Sequence, residues 1–87
     1  MEGAMTEFEI RDSIKRVIAN VSDIDLEDIG DSASFKEDLG LDSLVLLEIS
    51  VDIGLQFQLD IPEEQLMQLH TVQDTVELVQ QCLAAKV

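Results

Sequence analysis

Basic residues are scarce in this chain. Lys and Arg total 5 against 19 Asp and Glu, a net charge of −14. Neither occurs between Glu37 and Ala85. A surface of that sign repels nucleic acid and anionic lipid, so neither is expected as a partner, and it attracts basic protein patches and divalent cations. Self-repulsion predicts a fold that salt or Mg²⁺ stabilises. Aromatics are 3%, with no Trp or Tyr, so any core is aliphatic. The single cysteine, Cys82, excludes an internal disulfide framework and fits a reducing, cytoplasmic setting. It is expected to be a buried, inert thiol. No apolar run approaches the roughly 20 residues of a membrane span, and the N-terminus shows no basic-then-apolar leader pattern. At 87 residues one small domain is expected, over 6–85 and monomeric, with Met1–Met5 as a flexible or extraneous start. Such a domain buries only about 60% of its chain surface and is marginally stable.

What is present is helical periodicity. No β-alternation of useful length, repeat or low-complexity segment interrupts it. A first helix is predicted from about Thr6 to Asn20, opened by the capping-box pattern Thr6/Glu9, with the apolar stripe Ile10, Ile14, Val17 and Val21. A long acidic connection, Ser22 to Leu41, follows. Ile24, Leu26, Ile29, Phe35 and Leu39 punctuate it and are expected to pin it to the core, and Ser34/Glu37 reads as a second capping box starting one helical turn. A second helix is predicted from Ser43 to about Phe57, weakened near its end by Gly54. At about 100° per residue it has two apolar faces. Leu46, Ile49, Ile53 and Phe57 are read as core; Leu44, Leu47, Val51 and Leu55 are read as a surface for a partner, with Glu48, Asp52 and Gln56 on a flank. A short third helix starts at Pro62 with Glu63 and Glu64 in its first turn and Leu66 and Leu69 facing inward. A last helix is capped by Thr71 with Asp74 three residues on, and carries Val72, Val76, Val79 and Leu83. The fold class is all-α.

The stretch Glu37-Asp38-Leu39-Gly40-Leu41-Asp42-Ser43-Leu44 places a serine where a loop becomes a helix. Gly40 permits a positive φ. Asp42 and Ser43 are both residue types that cap helices. A hydroxyl there sits where open N–H groups and the macrodipole favour an anion, so Ser43 can anchor a phosphate-linked group. From spacing alone, a simple capping role explains it as well. A nucleophile needs a base and an orienting group, and the only histidine is His70; Gly40-x-x-Ser43 is also not a G-x-S-x-G elbow. Asp23, Asp25, Glu27, Asp28 and Asp31 lack the strict order of a calcium loop, so only diffuse cation binding and no metal site is expected.

The string Asp38-Leu39-Gly40-Leu41-Asp42-Ser43-Leu44 resembles the D-x-G-x-D-S-L signature of acyl carrier proteins. Phe35-Lys36-Glu37, Glu48, Phe57, Ile61-Pro62 and Thr71-Val72 stand at that family's spacing, and the likeness covers roughly Thr6 to Leu83. The resemblance implies a right-handed four-helix bundle, three longer helices and one short, with a long loop between the first two. It implies that Ser43, flanked by Asp42 and Leu44, receives 4′-phosphopantetheine from coenzyme A through a Mg²⁺-dependent phosphopantetheinyl transferase. The arm's thiol would carry acyl groups as thioesters to ketosynthases, acyltransferases and other fatty-acid or polyketide enzymes, the carrier itself doing no catalysis. Asp38, Leu44, Leu47, Glu48, Val51 and Leu55 would be read by partners. Leu47, Ile61, Leu66 and Leu69 would border an acyl cleft. The second helix departs from the very acidic one of bacterial fatty-acid carriers: it holds only Glu48 and Asp52 after Asp42, with Val45, Leu46 and Leu55 where polar residues are usual. It therefore resembles a specialised or polyketide-type carrier more than a housekeeping one. Two other readings stay open. One is a peptidyl or aminoacyl carrier of a nonribosomal pathway, whose serine usually lies in a G-G-x-S or G-x-x-S-L setting with more basic surroundings. The other is a helical interaction module without a prosthetic group.

Overall fold

Thr6 opens the first helix by the predicted reciprocal cap: its Oγ1 accepts from the Glu9 N–H at 3.1 Å, and Glu9 Oε1 accepts from the Thr6 N–H at 2.9 Å. Thr6 is thus the cap, and the helix, α1, is Glu7–Ser22. It ends on Asp23 in the left-handed region (φ 63°), whose N–H bonds to the Ala19 carbonyl. A computed structural model describes residues 6–61, 63–66 and 68–86. Pro62 and Met1–Met5 lie outside the described residues, as do the side chains of Glu63 and Leu66. A 3₁₀ turn, Leu26–Asp28, breaks the long connection. Then come α2 (Ser43–Phe57), a single turn α3 (Glu63–Leu66), and α4 (Val72–Lys86). Among the described residues there is no strand, only one isolated antiparallel bridge, Ser34 with Thr71. None of the described helices is long and apolar enough to cross a membrane.

α1 lies against both α2 and α4, and α2 also meets α3. The core is mostly aliphatic, as composition predicts, but two of the three phenylalanines, Phe35 and Phe57, are buried in it. Ile10, Ile14, Val17 and Ile18 of α1 meet Ile49, Ile53 and Phe57 of α2 and Val72, Val76 and Val79 of α4. Ile18 belongs to the stripe and Val21 is only half-buried, because the helix runs on to Ser22 and its inward face turns with it. Cys82 is half-buried rather than buried; the Val72/Val76/Val79 stripe passes beside it.

The connection between α1 and α2 is held by its own plugs. Ile29, Ala33, Phe35 and Leu41 are buried, and Ile24 and Leu39 are half-buried. Leu26 was expected inward; it is exposed, because the 3₁₀ turn carries it on the outer side. Burying a large side chain contributes about 1.5–3 kcal/mol. Fixing one residue's backbone costs roughly 1–2 kcal/mol. One plug therefore orders only a residue or two, so anchors must recur along the whole segment. A polar anchor is added: Lys15 of α1 bonds to Asp31, and Arg11 reaches Gln73 Oε1 of α4 at 2.9 Å. The Lys15 hydrogen bond, then its charge, holds the Asp31 carboxyl below its ordinary range.

Candidate functional site

The loop before α2 is built on Ser34. Its carbonyl accepts from the N–H groups of both Asp38 and Leu39 at 3.0 Å. Its Oγ accepts from the Glu37 N–H at 3.2 Å, and its own N–H donates to Asp38 Oδ2 at 2.7 Å. The expected Ser34/Glu37 box is therefore corrected: the returning carboxylate is Asp38, one residue later, because the chain makes one uncontinued helical turn rather than entering a helix. Phe35 N–H donates to the His70 carbonyl at 2.8 Å and Val72 N–H donates to the Ala33 carbonyl at 3.0 Å, which staples this turn to the start of α4. There Thr71 Oγ1 accepts from the Asp74 N–H, and Asp74 Oδ2 accepts from the N–H groups of Thr71 and His70.

Gly40 then takes φ 67° with nothing within 4 Å of where a Cβ would lie. The requirement there is backbone conformation, not space. The turn it makes lets the Leu41 N–H reach the Phe35 carbonyl at 2.8 Å while Leu41 drops into the core. Asp42 is extended (φ −96°, ψ 179°) and caps α2: its Oδ1 accepts from the Val45 N–H at 3.0 Å. Ser43 is thus the first residue inside the helix and not its cap. Its side chain is exposed, and among the described residues its hydroxyl has no hydrogen-bond partner; the N–H groups of Ser43 and Leu44 are likewise open. An unengaged hydroxyl beside two open N–H groups at the positive end of a helix is a fitting seat for a phosphodiester.

A cavity of about 600 Å³ opens beside Ser43. Phe35, Leu44, Leu46, Leu47 and Leu69 give it an apolar lining; Lys36, Ser50 and His70 are among its polar members. Of the residues expected to border a cleft, Leu47 and Leu69 line this cavity. Ile61 lines a second one of about 500 Å³, farther along α2 with Val51, Gly54 and Leu55; the side chain of Leu66 is outside the described residues. Sequence reasoning missed Ser34, Lys36, Ser50 and His70 here. Helical periodicity put Ser50 on the stripe of α2 that also bears Ser43 and Leu47, a signal that was available. The Ser34–Thr71 bridge that brings Lys36 and His70 to the cavity has no local sequence signature. Among the described residues no hydrogen bond joins His70 to Ser43, and no acidic, histidine or cysteine cluster could hold a metal.

The second face of α2 is exposed as expected: Leu44 is 75% and Leu55 73% accessible, and Leu47, Glu48 and Val51 are also exposed. On the other face Ile49, Ile53 and Phe57 are buried and Leu46 is half-buried. Asp38 is exposed, but one of its oxygens is committed to the loop.

Residues 12–79 match the family described as "Phosphopantetheine attachment site". The chain is 35% identical over 81 residues to "Acyl carrier protein" of Thermosynechococcus vestitus, covering 93% of this chain and 100% of that one. It is also 35% identical over 77 residues to "Acyl carrier protein" of Thermobifida fusca, covering 88% of this chain and 98% of that one. The chain belongs to the acyl carrier protein family. Membership makes it a non-catalytic carrier whose prosthetic group is 4′-phosphopantetheine.

Proposed function

We propose that residues 6–85 form one acyl-carrier domain, a four-helix bundle with α3 as its short member, and that Ser43 is where the 4′-phosphopantetheine arm is attached. The observation that carries this is the exposed Ser43 hydroxyl, without a hydrogen-bond partner among the described residues, at the first position of α2 beside the cavity of about 600 Å³. Asp42 fixes the helix start, Leu44 flanks the attachment point, and the open N–H groups of Ser43 and Leu44, with the Lys36 ammonium nearby, would face the phosphodiester. The bound arm supplies a thiol that holds an acyl group as a thioester. Leu47 and Leu69 would line the cleft that shields its first carbons, with Ile61 at the farther cavity.

The partners would be a phosphopantetheinyl transferase, then ketosynthases, acyltransferases and other enzymes of fatty-acid or polyketide assembly, in the cytoplasm. Leu44, Leu47, Glu48, Val51 and Leu55, with Asp38 at the loop, form the surface they would read. The polyketide-type assignment is favoured because that surface presents four large apolar side chains against two carboxylates, Glu48 and Asp38, so docking leans on desolvation more than on charge steering. A flexible tether raises the effective concentration of cargo at each enzyme without tight docking. The test is incubation with coenzyme A, Mg²⁺ and a broad-specificity phosphopantetheinyl transferase, followed by intact mass. The wild-type chain gains one phosphopantetheine and Ser43→Ala gains none; folded wild-type protein that gains nothing overturns the proposal.

A further inference from the structure

Ser50 is a polar residue in an apolar position. It lies on the inner side of α2, 8% exposed, among Leu46, Ile49 and Ile53. It shares one stripe of the helix with Ser43, Leu47 and Gly54. Among the described residues it alone lines both the cavity beside Ser43 and the one farther along α2. Seven residues of helix put it about 10 Å from Ser43 along the axis. Gly54 continues the stripe for a different reason: a Cβ there would stand 3.0 Å from the Leu59 carbonyl oxygen, which bends in to end the helix. Ser50 is under no such pressure, and an aliphatic residue would suit its burial better.

Its hydrogen bond shows what the hydroxyl can offer. Ser50 Oγ donates to the Leu46 carbonyl at 2.8 Å. That uses its one proton, and no other bond is made to it among the described residues, so the oxygen faces its surroundings as an acceptor only. An alkyl chain laid against it leaves the lone pairs unmet. A ketone brings a second acceptor and no proton. A hydroxyl brings the donor that fits.

We infer that Ser50 is a specificity-determining residue of the cleft, selecting cargo with a hydroxyl on the acyl chain over saturated or keto cargo of equal length. This rests on the carrier reading above and names its substrate class. One net hydrogen bond to buried cargo corresponds to roughly a threefold to tenfold change in occupancy of the cleft.

The test uses the full chain. A broad-specificity transferase loads it from the coenzyme A thioesters of octanoate, 3-oxooctanoate, 3-hydroxyoctanoate and 5-hydroxyoctanoate, and intact mass confirms each load. Cleavage of the thioester by hydroxylamine then reads how far the cargo is sheltered, each cargo being compared only with itself across variants. Wild type is expected to release at least one hydroxylated cargo about threefold to tenfold more slowly than Ser50→Ala or Ser50→Val does. Octanoyl and 3-oxooctanoyl are expected to be released no faster from Ser50→Val than from wild type, and Ser50→Thr to keep the wild-type order. Circular dichroism identifies which variants are folded, and Ser50→Ala serves if Val is not accommodated. If all four cargoes respond alike to loss of the hydroxyl in folded protein, the inference is overturned although loading succeeds. If no cargo loads at all, the failure lies in the carrier reading, and this inference falls with it.

Discussion

Asp42 and Ser43 divide two tasks that both could have performed. Asp42 accepts from the Val45 N–H, so the helix start is secured without the serine. Ser43 is left exposed and, among the described residues, unengaged. The stabilities of three variants should reflect this. Asp42→Ala loses about 1 kcal/mol with its cap. Gly40→Ala loses about 1–2 kcal/mol, because φ 67° is unfavourable for any side chain whatever the room around it. Ser43→Ala is close to neutral, having no bond to lose. Urea unfolding of the three measures this, and a loss at Ser43 equal to that at Asp42 would show that the hydroxyl has a structural role. Most of this was legible in the sequence: the positive φ at Gly40 follows from residue type, and the junction at residues 42–43 follows from two adjacent capping residues. Which of the two is the cap was not, since both residue types can cap a helix and only the backbone path separates them.

At the scale of the element, α2 is the unusual one. It is apolar on opposite sides, yet only one side is covered, since α1 and the loop lie on the Ile49/Ile53/Phe57 side. Ile53→Ala should therefore cost about 2–5 kcal/mol through the cavity it leaves. Val51→Glu should change stability by less than about 0.5 kcal/mol, as is usual for surface positions. It should nonetheless slow loading or turnover by partner enzymes, through a charge placed where they dock. Equal destabilisation by both would mean the outer face is covered after all. The three long helices were legible because each carries a sustained 3.6-residue stripe and a start signal: Thr6/Glu9 for α1, Asp42 for α2, Thr71/Asp74 for α4. The loop was legible only in part. Its plugs Ile29 and Phe35 could be picked out as apolar residues in an acidic segment, but Ala33 and Leu41 are buried by the turn geometry itself, and Leu26 points outward for the same reason.

For the molecule as a whole, charge is the dominant imbalance. Three of its five basic residues lie on α1 and bind carboxylates there or on the loop: Arg11 to Glu7, Lys15 to Asp31, and Arg16 to Asp12. These are surface contacts and individually weak. They leave the whole net charge of −14 unopposed, most of it spread over the loop and the second half. The melting temperature should rise as salt or Mg²⁺ is added from low ionic strength; a flat response would show that self-repulsion does not limit this fold. The cavity at Ser43 exists only at this scale. It needs the turn at Ser34, the start of α4 and the inner stripe of α2 at once, contacts that join residues far apart in the chain and that no local pattern announces. Three serines, Ser34, Ser43 and Ser50, line that one cavity, and only Ser43 is expected to bear the arm. The decisive measurement is fragmentation mass spectrometry of the transferase-loaded chain after proteolysis. Phosphopantetheine on Ser43 alone is the predicted result; its appearance on Ser34 or Ser50, or its absence from folded, transferase-treated protein, would contradict the account.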